Sequence, residues 1–472
     1  MGQLEIQKTL LKNFPFSPTA DQQLLIGKVA EFFCDATPRK CFVLKGYAGT
    51  GKTSFIRSLV KTLPEAGLSY SLLAPTGRAA KVISEYTSVQ AYTIHKAIYE
   101  IIPSKGGSLS VKLAENKIEN KIFIIDEASM ISSGDDRSLL KGRNLLRDLF
   151  THVYATKGCS LIFIGDTAQL PPVGEVNSTA LDEKHLSNYF DVKVHACELK
   201  VVVRQAEDSG ILMNATALRI LIGKSAGEPI LKSVGFKDVE QINGETLRDN
   251  LDEFYASSNS NDTLIVCRSN KQANKYNEFI RNHLLCYEDQ VNSGDRMMVV
   301  KNNYYWLESD SATGFIANGD ILKVKRILSY EKKFGFSFAD ATVTLADYPG
   351  EGEYEVKLLL DTIKSEAPSL TQEDQKKLFE EVYKSFEDEL KGPQRMRKTY
   401  ANPYYNALQV KFSYAVTCHK AQGGQWQNVF VDSGYMNESM FNTEYLRWLY
   451  TAITRATKKL LFVNFDERFF RK

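Results

Sequence analysis

Residues 46–54 read GYAGTGKTS, and this stretch restricts the possible folds more than any other. It follows the short apolar run 41–44 (CFVL), which reads as a buried strand, and precedes residues 55–60 (FIRSLV), whose apolar positions recur at helical spacing. Strand, glycine-rich turn and helix are the setting that a GxxxxGK[ST] phosphate loop needs. Gly46, Gly49 and Gly51 let the backbone turn tightly, so that the N–H groups of a cradle including Ala48, Thr50 and Ser54 can face phosphate oxygens. In that pattern Lys52 reaches the β- and γ-phosphates and the Thr53 hydroxyl holds a magnesium ion. The residues predict a nucleoside triphosphate site.

The same rhythm recurs downstream. Residues 71–76, 121–127 and 160–172 each run from an apolar strand into a polar turn. The strand 122–125 ends in Asp126 and Glu127, where a phosphate-loop protein carries one carboxylate for the metal and one for the attacking water. Strand-then-turn units alternating with helices predict a parallel doubly wound sheet with ligands at the carboxyl ends of its strands. Thr19 with Gln22 three residues on reads as a capping box; Gln22 could equally read an adenine edge, and the spacing supports both. Residues 103–117 are polar and glycine-bearing, which predicts a small hairpin off the core. A second α/β series starts with the strand 263–269 and resumes at 409–417, 429–432 and 459–464. Between about 290 and 410 the rhythm breaks into a β-rich stretch. Residues 334–345 alternate like exposed strands, and a helix capped at Thr371 ends at Gly392-Pro393.

Lys and Arg total 59 against 57 Asp and Glu, a net charge of +2, so any nucleic-acid partner must be met by local basic patches. The seven cysteines form no C-x-x-C pair and read as thiols of a reducing cytosol, and the six histidines show no metal-ligand spacing. No apolar run is long enough to span a membrane.

A phosphate loop with a carboxylate pair implies nucleotide hydrolysis without saying what it drives. Arg204 and Arg455 lie far from the loop in sequence, and an arginine from a second domain stabilises transition-state charge only when two domains close. At this point the chain resembles the superfamily 1B DNA helicases of the RecD/Dda type, the group that includes the Pif-type helicases. The matching stretches run in family order: 19–22, the phosphate loop, APTGRAAK (74–81), TIHKAIY (93–99), DEASM (126–130), GDTAQLPPV (165–173), VVRQAEDSGI (202–211), YAVTCHKAQGGQW (414–426) and LYTAITRAT (450–457).

The resemblance implies an α/β fold of two RecA-like parallel-sheet motor domains. The first would span 1–215 with a strand-separating pin at about 100–118, although the apex Lys105-Gly106-Gly107-Ser108 lacks the family's aromatic tip. The second would comprise 216–290 and 410–472, interrupted by a β-rich, SH3-like insertion at 290–410 with a helical elaboration. By resemblance, Gln22 reads adenine, Lys52, Thr53, Asp126 and Glu127 bind and hydrolyse ATP with Mg2+, and Gln169 senses the γ-phosphate. Arg204 and Arg455 are arginine fingers, and Gln422 with Gly424 joins ATP to the second domain. Thr76, His95, Pro171, Pro172, Thr417, His419 and Lys420 lie towards single-stranded DNA. The implied activity is 5′→3′ unwinding of 5′-tailed duplex DNA by a cytoplasmic monomer, beside a single-strand-binding or replication protein, in replication, repair or recombination. The alternatives are a translocase or ATP-gated DNA-binding module that separates no strands, and an RNA motor.

Overall fold

The computed structural model describes residues 2–103, 109–134, 143–202, 208–224, 228–256, 262–307, 315–348, 350, 352–387, 392–436 and 440–470. Its first strands, in chain order, are β1 (Lys40–Gly46), β2 (Tyr70–Ala74), β3 (Tyr92–Thr93), β4 (Tyr99–Pro103), β5 (Leu109–Leu113), β6 (Ile122–Ile125), β7 (Ser160–Gly165) and β8 (Lys193–Leu199). Six of them pair in parallel in the order β3-β2-β6-β7-β1-β8. The central strands β6 and β7 are buried along their whole length, which is why they read as unbroken apolar runs rather than alternating ones. β4 and β5 form the expected antiparallel hairpin apart from this sheet. Its apex, 104–108, lies outside the described residues.

The later strands are β9 (Val239–Ile242), β10 (Thr263–Cys267), β11 (Arg296–Val299), β12 (Ile321–Lys333), β13 (Phe336–Leu345), β14 (Tyr354–Leu359), β15 (Leu408–Phe412), β16 (Ala415–Thr417), β17 (Trp426–Asp432) and β18 (Ala456–Val463). A second parallel sheet runs β16-β10-β17-β18-β9, and β11 to β15 close into a small barrel. The fold is therefore two parallel α/β sheets with a hairpin inserted in the first and a barrel in the second. Ile265, Phe430 and Leu461 of the second sheet share one apolar cluster with Val324, Ala341 and Val410 of the barrel.

Three expectations change. The run 334–345, read as exposed strands, is largely buried in β13, because Leu378 and Val382 of the helix Gln372–Lys384 pack on Phe336 and Phe338. Thr371 caps that helix as predicted, its hydroxyl accepting from the Asp374 N–H. Gly392-Pro393, however, opens a second helix, Gly392–Tyr400, rather than ending the first. Gly392 holds φ +51, and a proline in a first helical turn forfeits no helical hydrogen bond. Lastly, a boundary at 215 would cut the helix Gly210–Lys224, whose Ile211, Ala215 and Leu218 pack in the cluster of the second sheet.

Candidate nucleotide and nucleic-acid site

β6, β7 and β1 lie side by side, so the turns that follow them meet at one edge of the first sheet. The phosphate loop leaves β1 with Gly49 at φ +75 and Gly51 at φ +88. Gly46 has no room for a side chain, since a Cβ there would stand 2.9 Å from the Thr50 hydroxyl and 3.0 Å from Lys52 Cγ. Lys52 opens the helix Lys52–Glu65, and its ammonium donates to the carbonyls of Gly46 (2.6 Å) and Tyr47 (3.0 Å), within 4.0 Å of Asp166. Thr53 and Ser54 stand half-exposed on the first turn.

After β6, Asp126 is held well above the usual carboxylate range, by burial first and by the charge of Glu127 second. A cation between them would relieve both causes, and with the Thr53 hydroxyl these oxygens are the hard donor set that magnesium takes. Glu127 sits in the left-handed region at φ +50, an uncommon place for a non-glycine residue and one found at functional sites. Gln169, after β7, donates to Glu127 Oε2 at 3.4 Å, while its own Oε1 is buried without a partner among the described residues.

The second sheet reaches into the same place. Gln422 donates to the Leu170 carbonyl at 2.7 Å, and the Thr451 hydroxyl accepts from the Leu170 N–H at 2.8 Å. Leu170 is thus held at both ends of its peptide from the far sheet, and its side chain packs in that sheet's apolar cluster. The Tyr450 hydroxyl accepts from the Ala48 N–H of the phosphate loop, so this amide, expected to face phosphate, is instead turned to the second sheet. Neither Tyr450 nor Thr451 carried a chemical signal in the sequence; both lie within LYTAITRAT, but only the fold brings them to partners some 280 to 400 positions away.

Other expected residues are placed differently. Gln22 forms the capping box, its Oε1 accepting from the Thr19 N–H, and its Nε2 donates to the Thr50 carbonyl at 3.0 Å, which leaves one acceptor and one donor of its amide uncommitted by these bonds. Arg455 is buried, donating to the carbonyls of Thr451 and Gly424 and to the Thr454 hydroxyl, with no carboxylate partner among the described residues. Gly424 lies against the ring of Trp426, so its contacts are within the second sheet rather than with the phosphate loop. Arg204 lies outside the described residues.

The residues expected near nucleic acid line the seam between the sheets and the barrel. Thr76 caps the helix Gly77–Thr87 through the Ala79 N–H, and Gly423, at φ +74, packs so closely that a Cβ would stand 3.2 Å from the Thr76 hydroxyl. His95 lies 5.8 Å from the Tyr99 ring and 6.3 Å from Phe315, which stacks on Tyr304. Thr417 ends β16, and burial lowers the pKa of His419. Lys420 donates to Asn318 of the barrel, and burial together with the charge of Lys411 brings it down to about 8. Pro171 and Pro172 are half-buried. Sequence reasoning missed the charged side of this seam: Arg78 and Lys81 face Asp347 at 3.1 and 3.7 Å, and Asp320 abuts Gly77.

A model of the AAA domain matches residues 28–226, and one of the UvrD-like helicase C-terminal domain matches 412–463. Each falls on one of the two sheets, in the order of the motif stretches. Together with the motif stretches, these matches make the chain similar to the superfamily 1B DNA helicases of the RecD/Dda/Pif type. It is 25% identical to an uncharacterised protein of Acanthamoeba polyphaga mimivirus, over 94% of this chain and 99% of that one. With the ATP-dependent DNA helicase dda of Enterobacteria phage T4 it shares 29% identity over 50% of this chain and 51% of that protein, so it spans about half of that relative's length. A solved structure, Pif1 helicase from Bacteroides in complex with ADP-AlF3 and ssDNA, aligns over 97% of this chain and 95% of that one at 16% identity, with a TM-score of 0.48. At that score the likeness carries no argument, and the fold rests on the two sheets themselves. No helix among the described residues is long and apolar enough to cross a membrane.

Proposed function

We propose that this chain is an ATP-driven DNA helicase that travels 5′→3′ along single-stranded DNA and opens the duplex ahead of it. The observation that carries this reading is the convergence at Leu170, where side chains of the second sheet hold the loop that places Gln169 beside Glu127. Hydrolysis at one sheet is then felt by the other, which is what a two-domain motor requires. In this reading residues 1–209 with the hairpin form one motor domain, residues 210–290 and 410–472 form the other, and the barrel is the insertion between them.

Lys52 and the loop amides bind the phosphates of ATP, and Thr53 and Asp126 hold magnesium, which supplies charge neutralisation when bound. Glu127, steadied by Gln169, orients the attacking water. Arg455, a buried guanidinium with no carboxylate partner among the described residues, gains one anionic partner from the phosphates on closure; Arg204 is the second finger. Thr76 and His95 on one side, and Thr417, His419 and Lys420 on the other, hold the strand backbone, with Pro171 and Pro172 beside it. The protein works as a monomer in the cytoplasm on 5′-tailed duplexes.

Strand displacement on 5′-tailed and 3′-tailed duplexes, in DNA and RNA, tests this. Opening of the 5′-tailed DNA alone is expected, with none in a non-hydrolysable ATP analogue or in Lys52→Ala. Efficient opening of 3′-tailed substrates would overturn the direction, and ATP-driven travel without displacement would make the chain a translocase.

A further inference from the structure

We infer that Tyr450 is a positioning residue for the phosphate site, tying closure of the second sheet to the shape of the loop and to the charge of Asp166. Tyr450 is 1% exposed and sits on the helix Thr443–Ile453 of the second sheet. Its hydroxyl accepts from the Ala48 N–H at 2.8 Å and donates to Asp166 Oδ2 at 2.6 Å. A phenol has one proton to give, and here it goes to a fully buried carboxylate. The other oxygen of Asp166 accepts from the Ala168 N–H at 2.9 Å, and Lys52 stands 4.0 Å from Oδ2. One hydroxyl therefore bridges the phosphate loop and the acid that faces its lysine, from an element of the opposite domain.

The consequence follows from the charges. A phosphate entering the loop draws Lys52 towards itself, and Asp166 then depends more on the Tyr450 hydroxyl, because a buried carboxylate that loses a cation must be held by its remaining donors. Nucleotide binding thus favours the closed arrangement that brings Tyr450 in, and closure favours nucleotide by the same factor. The inference rests on the proposed ATP-driven reading.

Tyr450→Phe tests it, keeping the ring that packs with Leu446 and Leu449 while removing the bridge. Turnover of ATP at saturation should fall about tenfold or more with KM within about threefold, the bond being made on closure. The change in single-strand affinity caused by a non-hydrolysable ATP analogue, read by fluorescence anisotropy, should disappear. Both measurements are repeated in Asp166→Asn, which removes the buried charge that a missing hydroxyl would strand. In that background Tyr450→Phe should cost clearly less than in the wild type, since the Asp166 half of the bridge has lost its charge and chiefly the Ala48 N–H bond remains to be removed. A folded Tyr450→Phe with wild-type turnover and intact coupling would overturn the inference, as would a full additional loss in Asp166→Asn. Absence of ATP turnover in the wild-type protein would overturn the proposed function itself, and the inference with it.

Discussion

Amide and hydroxyl groups of the second sheet make the seam at the phosphate loop, with one buried carboxylate, Asp166, among their partners, whereas ion pairs make the seam at the barrel. At the first, Gln422, Tyr450 and Thr451 reach Leu170 and Ala48 through amides and hydroxyls that are nearly all buried. At the second, Arg78 and Lys81 face Asp347, while Asp320 is buried against Gly77 with one oxygen unpartnered among the described residues. Each neutral bond contributes about 0.5–1.5 kcal/mol, whatever the salt. The pairs of Arg78 and Lys81 with Asp347 respond to salt as ion pairs do, and Asp320 responds to pH because burial raises its pKa to about 8. A motor needs its sheets to report on each other at every turnover, and the bonds to Leu170 and Ala48 can form and break without stranding a charge. The barrel seam suits a contact that the medium, or a polyanion, can loosen.

The largest expected effect tests whether the phosphate-loop seam also delivers charge. Arg455→Ala should lower ATP turnover roughly a thousandfold, as loss of an arginine finger does, with a much smaller change in nucleotide affinity. In the structure Arg455 braces its own sheet through Thr451 and Gly424. If the variant merely melts earlier while turning over normally at low temperature, Arg455 is a brace and the seam delivers none. Next in size is Thr451→Val, which leaves the Leu170 N–H without its partner. Stimulation of ATP turnover by single-stranded DNA should fall about tenfold, equally at low and high salt. A loss that high salt abolishes would mean that the two seams do not differ in kind.

The contrast also separates what the sequence discloses from what it hides. The phosphate loop, the Asp126-Glu127 pair and the sheet around them were legible because strand, turn and helix lie within a dozen residues of each other. Thr371 announced its helix for the same reason, its partner Asp374 being three positions away. By contrast, nothing near Tyr450 points to Ala48, and nothing near Asp320 points to Gly77, because such contacts join residues hundreds of positions apart and leave no periodicity. Arg455 shows the limit from the other side: its motif was legible, but not that its fork lies on Gly424 and Thr451. The burial of β13 escaped for a related reason, since the helix covering its outer face comes some 30 residues later.

The third prediction concerns Asp320. Burial, with a smaller contribution from Asp347, raises its pKa to about 8. An acid whose folded pKa is raised contributes stability that is complete below its unfolded pKa, near 4, and lost as pH rises through about 8. Asp320→Asn removes that dependence. Its melting midpoint should match the wild type at about pH 4 and exceed it at pH 9 by about 2–4 °C. Equal midpoints at both pH values would show that the buried carboxyl is tolerated without cost, and the barrel seam would lose its pH sensitivity.

The smallest effect bears on grip, and it applies the same logic to DNA. Lys420 brings an ammonium to the expected strand contacts, and burial and the neighbouring charge of Lys411 lower its pKa to about 8. It is therefore mostly charged at pH 7 and mostly neutral at pH 9. Each phosphate neutralised on a single strand contributes about 0.7 to the slope of log affinity against log salt. With only two or three such contacts the slope is shallow, and losing one is measurable. Single-strand affinity at low salt should fall severalfold between pH 7 and pH 9, and the salt slope should flatten by about 0.7 over the same range. Lys420→Gln should bind as the wild type does at pH 9 and show neither change. If the variant retains the full pH dependence, the titrating group lies elsewhere, with Lys411, also brought down to about 8 by burial, the first to replace. A wild-type affinity that ignores pH would mean that the strand is gripped as the phosphate loop is clasped, by neutral hydrogen bonds alone.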